Sequence, residues 1–149
     1  MTTVNVYLTF NGNCEEAFNF YKSVFGGEFP YVERYKEMLP QEGGKALSPE
    51  EGEKIMHISL PIGKETIIMG SDTGGEWASS FKEGNNYSLS LTTDSKAEAD
   101  RLFDGLSKGG KVTMPLNKTF WGDYFGMWTD KFSINWMVSF NDGSQNQMS

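Results

Sequence analysis

The chain begins with a regular alternation of apolar and polar residues. Apolar side chains occupy every second position in residues 4–10 (VNVYLTF) and again in residues 87–93 (YSLSLTT). This pattern predicts strands with one buried face. Residues 54–63 (KIMHISLPIG) and 65–72 (ETIIMGSD) predict a hairpin with Gly-Lys at its turn.

Two other segments repeat apolar residues every three or four positions, which predicts amphipathic helices. The first follows Asn13, a predicted N-cap, and ends at the glycine pair after Phe25. The second lies within residues 94–110 (DSKAEADRLFDGLSKGG). There Asp94 or Ser95 is the predicted cap, and a second glycine pair ends the helix.

The remaining strand-like runs complete a repeated order of elements. In the first half, residues 28–38 predict an edge strand, because Pro30 cannot donate to a central ladder. The second half has runs at 111–116, 119–130 and 133–140. Each half therefore contains a strand, a helix and three strands. The spacing of about 75–80 residues indicates a duplicated βαβββ module.

This order predicts an α+β fold class with two tandem βαβββ modules. Module 1 covers about residues 1–75 and module 2 about residues 85–142, within a single domain, 1–149. The four strands and one helix of a module cannot cover both faces of its sheet. We therefore expect curved mixed sheets with helices on the convex face and a concave cleft.

Two polar segments interrupt or end this pattern. Residues 40–54 (PQEGGKALSPEEGEK) are rich in Gly and Pro, which predicts a loop. Ser48 and Pro49 are predicted to start at most one helical turn within it. A loop of this length can also act as a lid over a cleft. The tail from residue 141 is predicted to be frayed.

Composition narrows the classes of function. The 149 residues are 38% hydrophobic and 22% charged, with a net charge of −7, which is typical of a globular protein and argues against nucleic acid as a partner. No apolar run approaches the ~20 residues that span a bilayer, and the first residues lack the features of a signal peptide. The single cysteine, Cys14, excludes an internal disulfide. We expect a cytoplasmic protein without a membrane partner.

Besides the duplicated order of elements, five segments of the sequence are recognisable. They are YLTFNGNCEEAFNFYKSVFGGE (7–28), MHISLPIG (56–63), IMGSD (68–72), TFWGDYFG (119–126) and DKFSINWM (130–137). Together they resemble the vicinal oxygen chelate superfamily (the glyoxalase/bleomycin resistance/dioxygenase fold), and within it the PhnB-like branch. The resemblance implies a homodimer or a pseudo-dimer of modules with a cleft for a small-molecule ligand.

Metal-dependent members of that superfamily hold a divalent ion with four His or Glu side chains on the first and last strand of each module. Carried over to this chain, the four positions fall on Asn5 or Val6, Met69, Ser88 and Met137. None of these residues offers an imidazole or a carboxylate, and a thioether is a poor ligand for a hard cation. We therefore predict no metal and no cofactor, although a divalent metal held by a different set of residues is not excluded.

Two residues are candidates for catalysis. His57, the sole histidine, shares a strand face with Ser59. It is either a base or hydrogen-bond donor in the cleft, or a strand histidine bonded to backbone or water. Asp123 lies between Trp121 and Tyr124 and is either functional or an exposed hairpin aspartate.

The aromatic residues divide between the core and the predicted cleft. Trp136 alternates with its neighbours as a core residue does. Phe120 and Trp121 should point to opposite faces, and we expect Trp121 to line the cleft. The predicted ligand-binding residues are His57, Ser88, Trp121, Tyr124, Met69 and Met137.

Three functions are compatible with these residues. We favour non-catalytic binding of a planar or cationic small molecule, because tryptophans provide stacking and cation–π surface and the negative charge favours cations. The alternative is a lyase or isomerase of the superfamily that uses His57, Ser88 or Asp123, with or without a metal. A further alternative is a scaffolding dimer whose cleft is filled by its own side chains.

Overall fold

The computed structural model describes residues 2–37, 48–74 and 79–141. The chain divides into two compact units, Met1–Lys82 and Glu83–Ser149. Each unit contains a four-stranded mixed sheet in the order strand, helix, three strands. The predicted α+β fold with tandem βαβββ modules is therefore confirmed. Residues 40–47 of the predicted loop and the tail from residue 142 lie outside the described residues.

Unit 1 is a sheet in the strand order β1-β4-β3-β2, with β1 parallel to β4 and the other pairs antiparallel. The strand after Pro30 lies at the edge, as its proline predicts. The elements are β1 (Val6–Phe10), α1 (Cys14–Phe25), β2 (Tyr31–Arg34), a 3₁₀ turn (Tyr35–Glu37), α2 (Pro49–Glu53), β3 (Ile55–Ile62) and β4 (Thr66–Asp72).

Unit 2 repeats this topology in the strand order β5-β8-β7-β6, and β5 is parallel to β8. The other neighbouring strands are antiparallel. The elements are β5 (Leu89–Thr92), α3 (Lys96–Ser107), β6 (Lys111–Lys118), β7 (Tyr124–Thr129) and β8 (Asn135–Phe140).

In unit 1 the side chains of the strands alternate between a face against α1 and a face turned away from it. A Cβ built on Gly70 would lie 2.6 Å from Cε1 of Phe18 on α1, so Gly70 faces the helix. Its partners in the strand register, Leu8 and Ile58, are buried on the same side. Residues one position away on these strands therefore point away from α1. We call this side the distal face.

Unit 2 is divided in the same way by α3. A Cβ on Gly126 would lie 2.9 Å from the ring of Phe103 on α3, and that ring packs edge-on against Trp128, with the ring centroids 5.3 Å apart. Trp136 pairs with Trp128 and is fully buried, so the structure places it in the core. The neighbouring positions form the distal face of unit 2.

Helices α1, α2 and α3 each begin directly after a residue that the sequence predicts as a cap. Ser48 forms a capping box with Glu51 at the start of α2, and Ser95 accepts from Glu98 N at the start of α3. Asn13 is the N-cap residue of α1, as predicted, but its side chain makes no cap hydrogen bond. The carboxylate of Asp72 accepts from the N-terminal backbone of α1 instead.

The helices were compared with the length and hydropathy that a membrane span requires. In the three described stretches of chain, every helix is too short or too polar to cross a bilayer.

Candidate functional site

The distal face of unit 1 carries a row of side chains that runs across all four strands. The register pairs Tyr7 with Met69, Met69 with Ser59, and Ser59 with Tyr31. Directly paired residues point to the same side of a sheet. These four side chains therefore share one surface, although they are far apart in the sequence.

His57 lies on the same face, between the two tyrosines. Its ring centroid is 5.8 Å from that of Tyr7 and 5.4 Å from that of Tyr31. The tyrosines are 49% and 48% exposed, so the three rings form an accessible aromatic layer. Glu33, the register partner of His57, accepts a hydrogen bond from Tyr31 Oη, and this bond raises the pKa of Tyr31.

The distal face of unit 2 carries the corresponding row with different chemistry. Ser90 pairs with Met137, Met137 with Met127, and Met127 with Met114. Three neighbouring strands thus place a thioether side by side. Where unit 1 has an aromatic and hydroxyl row, unit 2 has a methionine row.

Trp121 and Asp123 lie in a turn, and the prediction of a strand over residues 119–123 is wrong. The hydroxyl of Thr119 accepts from Asp123 N, and Gly122 N bonds to Thr119 O, which closes the turn. Trp121 Nε1 donates to Asp123 Oδ2 at 3.0 Å. The Trp121 ring packs against Phe125, a distal-face residue, with the centroids 5.8 Å apart.

Both carboxylate oxygens of Asp123 are engaged, since Asn141 Nδ2 donates to Oδ1 at 2.7 Å. The contacts of Asp123 thus orient the Trp121 indole. Phe120 stacks edge-on against Trp121 and is 90% exposed.

Tyr124 lies on the face against α3. Its hydroxyl donates to Asp100 Oδ1 on α3, and Lys96 Nζ lies 5.1 Å from its ring centroid. The hydrogen bond to Asp100, with desolvation and the carboxylate charge, raises the pKa of Tyr124 to about 12. The contacts of Tyr124 are thus to the helix, whereas Trp121 packs on the distal face.

The strand register pairs the two methionines with residues other than those named from the resemblance. Tyr7, and neither Asn5 nor Val6, is the residue beside Met69. Ser90 is the residue beside Met137, and Ser88 precedes β5. The donor atoms beside the two methionines are therefore a phenol and a hydroxyl.

The next question is whether side chains that could ligate a hard metal gather in the described part of either unit. Among residues 2–37, 48–74 and 79–141, no three His, Cys, Asp or Glu side chains lie close enough to share a metal ion. Cys14 is fully buried, and burial raises the pKa of its thiol, with the charges of Asp72 and Glu15 raising it further. A buried, protonated thiol is a poor nucleophile and a poor ligand.

The predicted ligand-binding residues did not include six members of these two rows: Tyr7, Ser59, Tyr31, Ser90, Met114 and Met127. The alternation of β1 does place Tyr7 opposite the buried face, and that signal was available. The others depend on which residue of a neighbouring strand lies opposite. The register of β6 shifts on both sides of Met114, so its partner on β7 cannot be predicted by counting residues along the chain.

Known proteins resemble this chain over most of its length. The chain matches the model of the Glyoxalase/Bleomycin resistance protein/Dioxygenase superfamily over residues 3–138. It is 32% identical over 138 residues to Protein YjdN of Escherichia coli K12, a match that covers 89% of this chain and 91% of that protein.

Two solved structures are similar over most of both chains. Protein PA1353 from Pseudomonas aeruginosa is 38% identical with a TM-score of 0.76, and the match covers 95% of this chain and 98% of that one. A PhnB protein from Bacillus cereus is 26% identical with a TM-score of 0.71, with coverages of 93% and 99%. The resemblance to the PhnB-like branch is therefore confirmed.

Proposed function

Because this chain belongs to the Glyoxalase/Bleomycin resistance protein/Dioxygenase superfamily, we propose that it binds a small molecule on the distal faces of its sheets, without a divalent metal ion. The observation that carries the proposal is the pairing of Met69 with Tyr7 and of Met137 with Ser90. These are the strand pairs on which the resemblance places metal ligands. Neither pair offers a carboxylate or an imidazole, and a thioether is a poor ligand for a hard divalent cation.

The chemistry of the unit 1 face supports an organic cation as the ligand. Tyr7 and Tyr31 present accessible rings on either side of His57, and aromatic faces attract cations. Glu33 adds a carboxylate at the edge of this surface, and Glu37 also acts electrostatically on Tyr31. The net charge of −7 favours a cation over an anion at long range.

The sole histidine provides a direct assay for binding at this surface. Its imidazole proton signal is unambiguous in an NMR spectrum, since the chain has one His. We would titrate phenyltrimethylammonium and its neutral isostere tert-butylbenzene. We expect both to shift the His57 signal, with the cation binding about tenfold more tightly, which corresponds to about 1.4 kcal/mol.

Matched tyrosine variants test the location. Tyr7→Ala and Tyr31→Ala should each weaken binding, because each removes an accessible ring. Tyr87→Ala is the control, since Tyr87 is 38% exposed and lies outside both rows. If neither compound moves the His57 signal, the proposal of a binding surface in unit 1 fails and the scaffolding function is favoured.

Tryptophan fluorescence tests whether the ligand binds to the distal face of unit 2. Trp121 is partly exposed, whereas Trp128 and Trp136 are fully buried, so a ligand on this distal face should alter the emission of Trp121. The fourth tryptophan, Trp77, lies outside the described residues, so a variant is needed to assign the change. Trp121→Phe should abolish that change. A change that persists in the variant would place the ligand elsewhere.

Metal binding is tested separately. Purified protein is titrated with Zn²⁺, Ni²⁺ and Mn²⁺ by calorimetry, and we expect no stoichiometric binding. Tight binding of one ion per chain would contradict the metal-free proposal and favour a metal-dependent member of the superfamily.

Catalysis as a lyase or isomerase is a second candidate, favoured by the position of His57. Its ring lies in the accessible layer rather than in the core, within reach of a ligand that covers Tyr7 and Tyr31. His57→Gln distinguishes the two functions. A binding protein should retain most of its ligand affinity in this variant, whereas an enzyme should lose turnover with little change in affinity.

Assembly and location complete the proposal. We propose a homodimer, as the resemblance implies, and a location in the cytoplasm. Light scattering after size-exclusion chromatography measures the mass directly. A mass equal to that of one 149-residue chain would contradict the dimer.

A further inference from the structure

The methionine row on the distal face of unit 2 is not used by the proposed aromatic surface. Met114, Met127 and Met137 lie on three neighbouring strands and are paired directly in the register. Cβ atoms of directly paired residues in antiparallel strands are about 4.5–5.5 Å apart. A methionine side chain has three rotatable bonds, so the two outer sulfurs can turn towards the sulfur of Met127.

The row is open to solvent and is free of carboxylates. Met114 is 40% exposed, and the other two methionines are partly exposed. The pairing continues to Ser90 at one end, and the neighbouring pair on β7 and β8 is Phe125 with Ser139. A hard divalent ion finds no suitable ligands here, while thioethers select soft ions such as Cu(I).

We propose that Met114, Met127 and Met137 bind a soft monovalent metal ion, Cu(I) or its analogue Ag(I), through their three sulfurs. The site goes beyond the proposed function, because it requires no organic ligand and uses thioethers rather than the aromatic rings of unit 1. A thioether carries no proton. Binding should therefore show no pH dependence across the range in which imidazole titrates, unlike binding by His or Cys.

Silver ions are the probe, because Ag(I) is not oxidised in air. We would add AgNO₃ in chloride-free buffer to protein labelled with ¹³C at the methionine methyl groups. We expect one ion per chain, and shifts in three methyl signals that are assigned by single Met→Leu variants. Leucine keeps the apolar volume and removes the sulfur, so the fold should be retained.

The variants decide the outcome. Met127→Leu should weaken Ag(I) binding by about tenfold or more, the scale on which even outer-shell changes act on metal affinity. Met56→Leu on β3 of unit 1 is the matched control and should leave the affinity unchanged. Cys14→Ala should also leave it unchanged, because the Cys14 thiol is fully buried.

Three results of the silver titrations at constant pH would overturn the proposal. They are the absence of stoichiometric Ag(I) binding, an affinity that survives Met127→Leu, and an affinity lost in Cys14→Ala while its far-UV circular dichroism is unchanged. Cu(I) in competition with bicinchoninate under argon then tests the biological ion, with the same order of affinities expected among the variants. A fall in affinity between pH 7 and pH 5.5 would assign binding to a titrating ligand and contradict the thioether site.

Discussion

Replacing Asp72 with alanine should be among the most destabilising single changes in unit 1. Asp72 is 2% exposed and ends β4. Its Oδ1 accepts from Gly12 N at 3.0 Å and Cys14 N at 2.9 Å, and its Oδ2 accepts from Ile55 N at 2.9 Å. One carboxylate thus ties the end of β4 to the start of α1 and the start of β3.

The magnitude follows from those three bonds. A hydrogen bond to a charged group contributes about 1.5–3 kcal/mol, and a buried donor left without an acceptor costs about 1–3 kcal/mol. The three bonds share one side chain, so their contributions are not additive. We expect Asp72→Ala to lower the free energy of unfolding by about 3–5 kcal/mol, a large part of the stability of a typical domain.

Urea denaturation followed by far-UV circular dichroism measures this change. Asp72→Asn keeps one carbonyl oxygen for the bonds at α1 but turns an amide towards Ile55 N, so it should cost about 1–3 kcal/mol. Asp94→Ala, at an exposed position, is the control and should stay within about 0.5 kcal/mol of the unchanged protein. The reasoning is refuted if Asp72→Ala costs less than about 1 kcal/mol.

Three further changes test other contacts. Gly70→Ala should lower the free energy of unfolding by about 1–3 kcal/mol in urea, because its Cβ would lie 2.6 Å from a ring carbon of α1; a neutral effect would show that the helix can yield. Tyr124→Phe should reduce the loss of stability measured between pH 10 and about pH 12, since bonding to Asp100 raises the folded-state pKa from 10.0 to about 12. Because the pKa of Tyr124 is raised in the folded state, its contribution to the free energy of unfolding is fully present below the unfolded-state pKa and is lost as pH rises through the folded-state pKa. An alkaline stability profile that is the same in the variant would contradict this expectation. Asp123→Ala should move the emission of Trp121 to longer wavelength, because it removes the acceptor of the indole N–H; an unchanged spectrum would mean that the bond does not hold the ring.

The elements of this fold were predictable where the signal is local. Alternation over residues 4–10 identified β1, whose inward residues Leu8 and Phe10 are buried. The Ser48 cap and Pro49 identified the start of α2, since a capping box joins residues only three positions apart.

The candidate site was less predictable because its residues meet through pairing between strands. His57 was found as the sole histidine, but the tyrosines on either side of it belong to β1 and β2. The turn around Trp121 was also misjudged. Its aromatic residues are typical of a strand, whereas the bonds between Thr119 and Asp123 close it locally.

By itself the sequence determined the repeated strand and helix order and the residue types that each strand carries. Periodicity and residue chemistry are local properties, and they can be read along the chain. Only the tertiary structure decided that Asp72 caps α1 from 58 positions away. It also decided that Met127 lies between Met114 and Met137. Both depend on strand register, because a shift of one residue would move every side chain of a strand to the other face of the sheet.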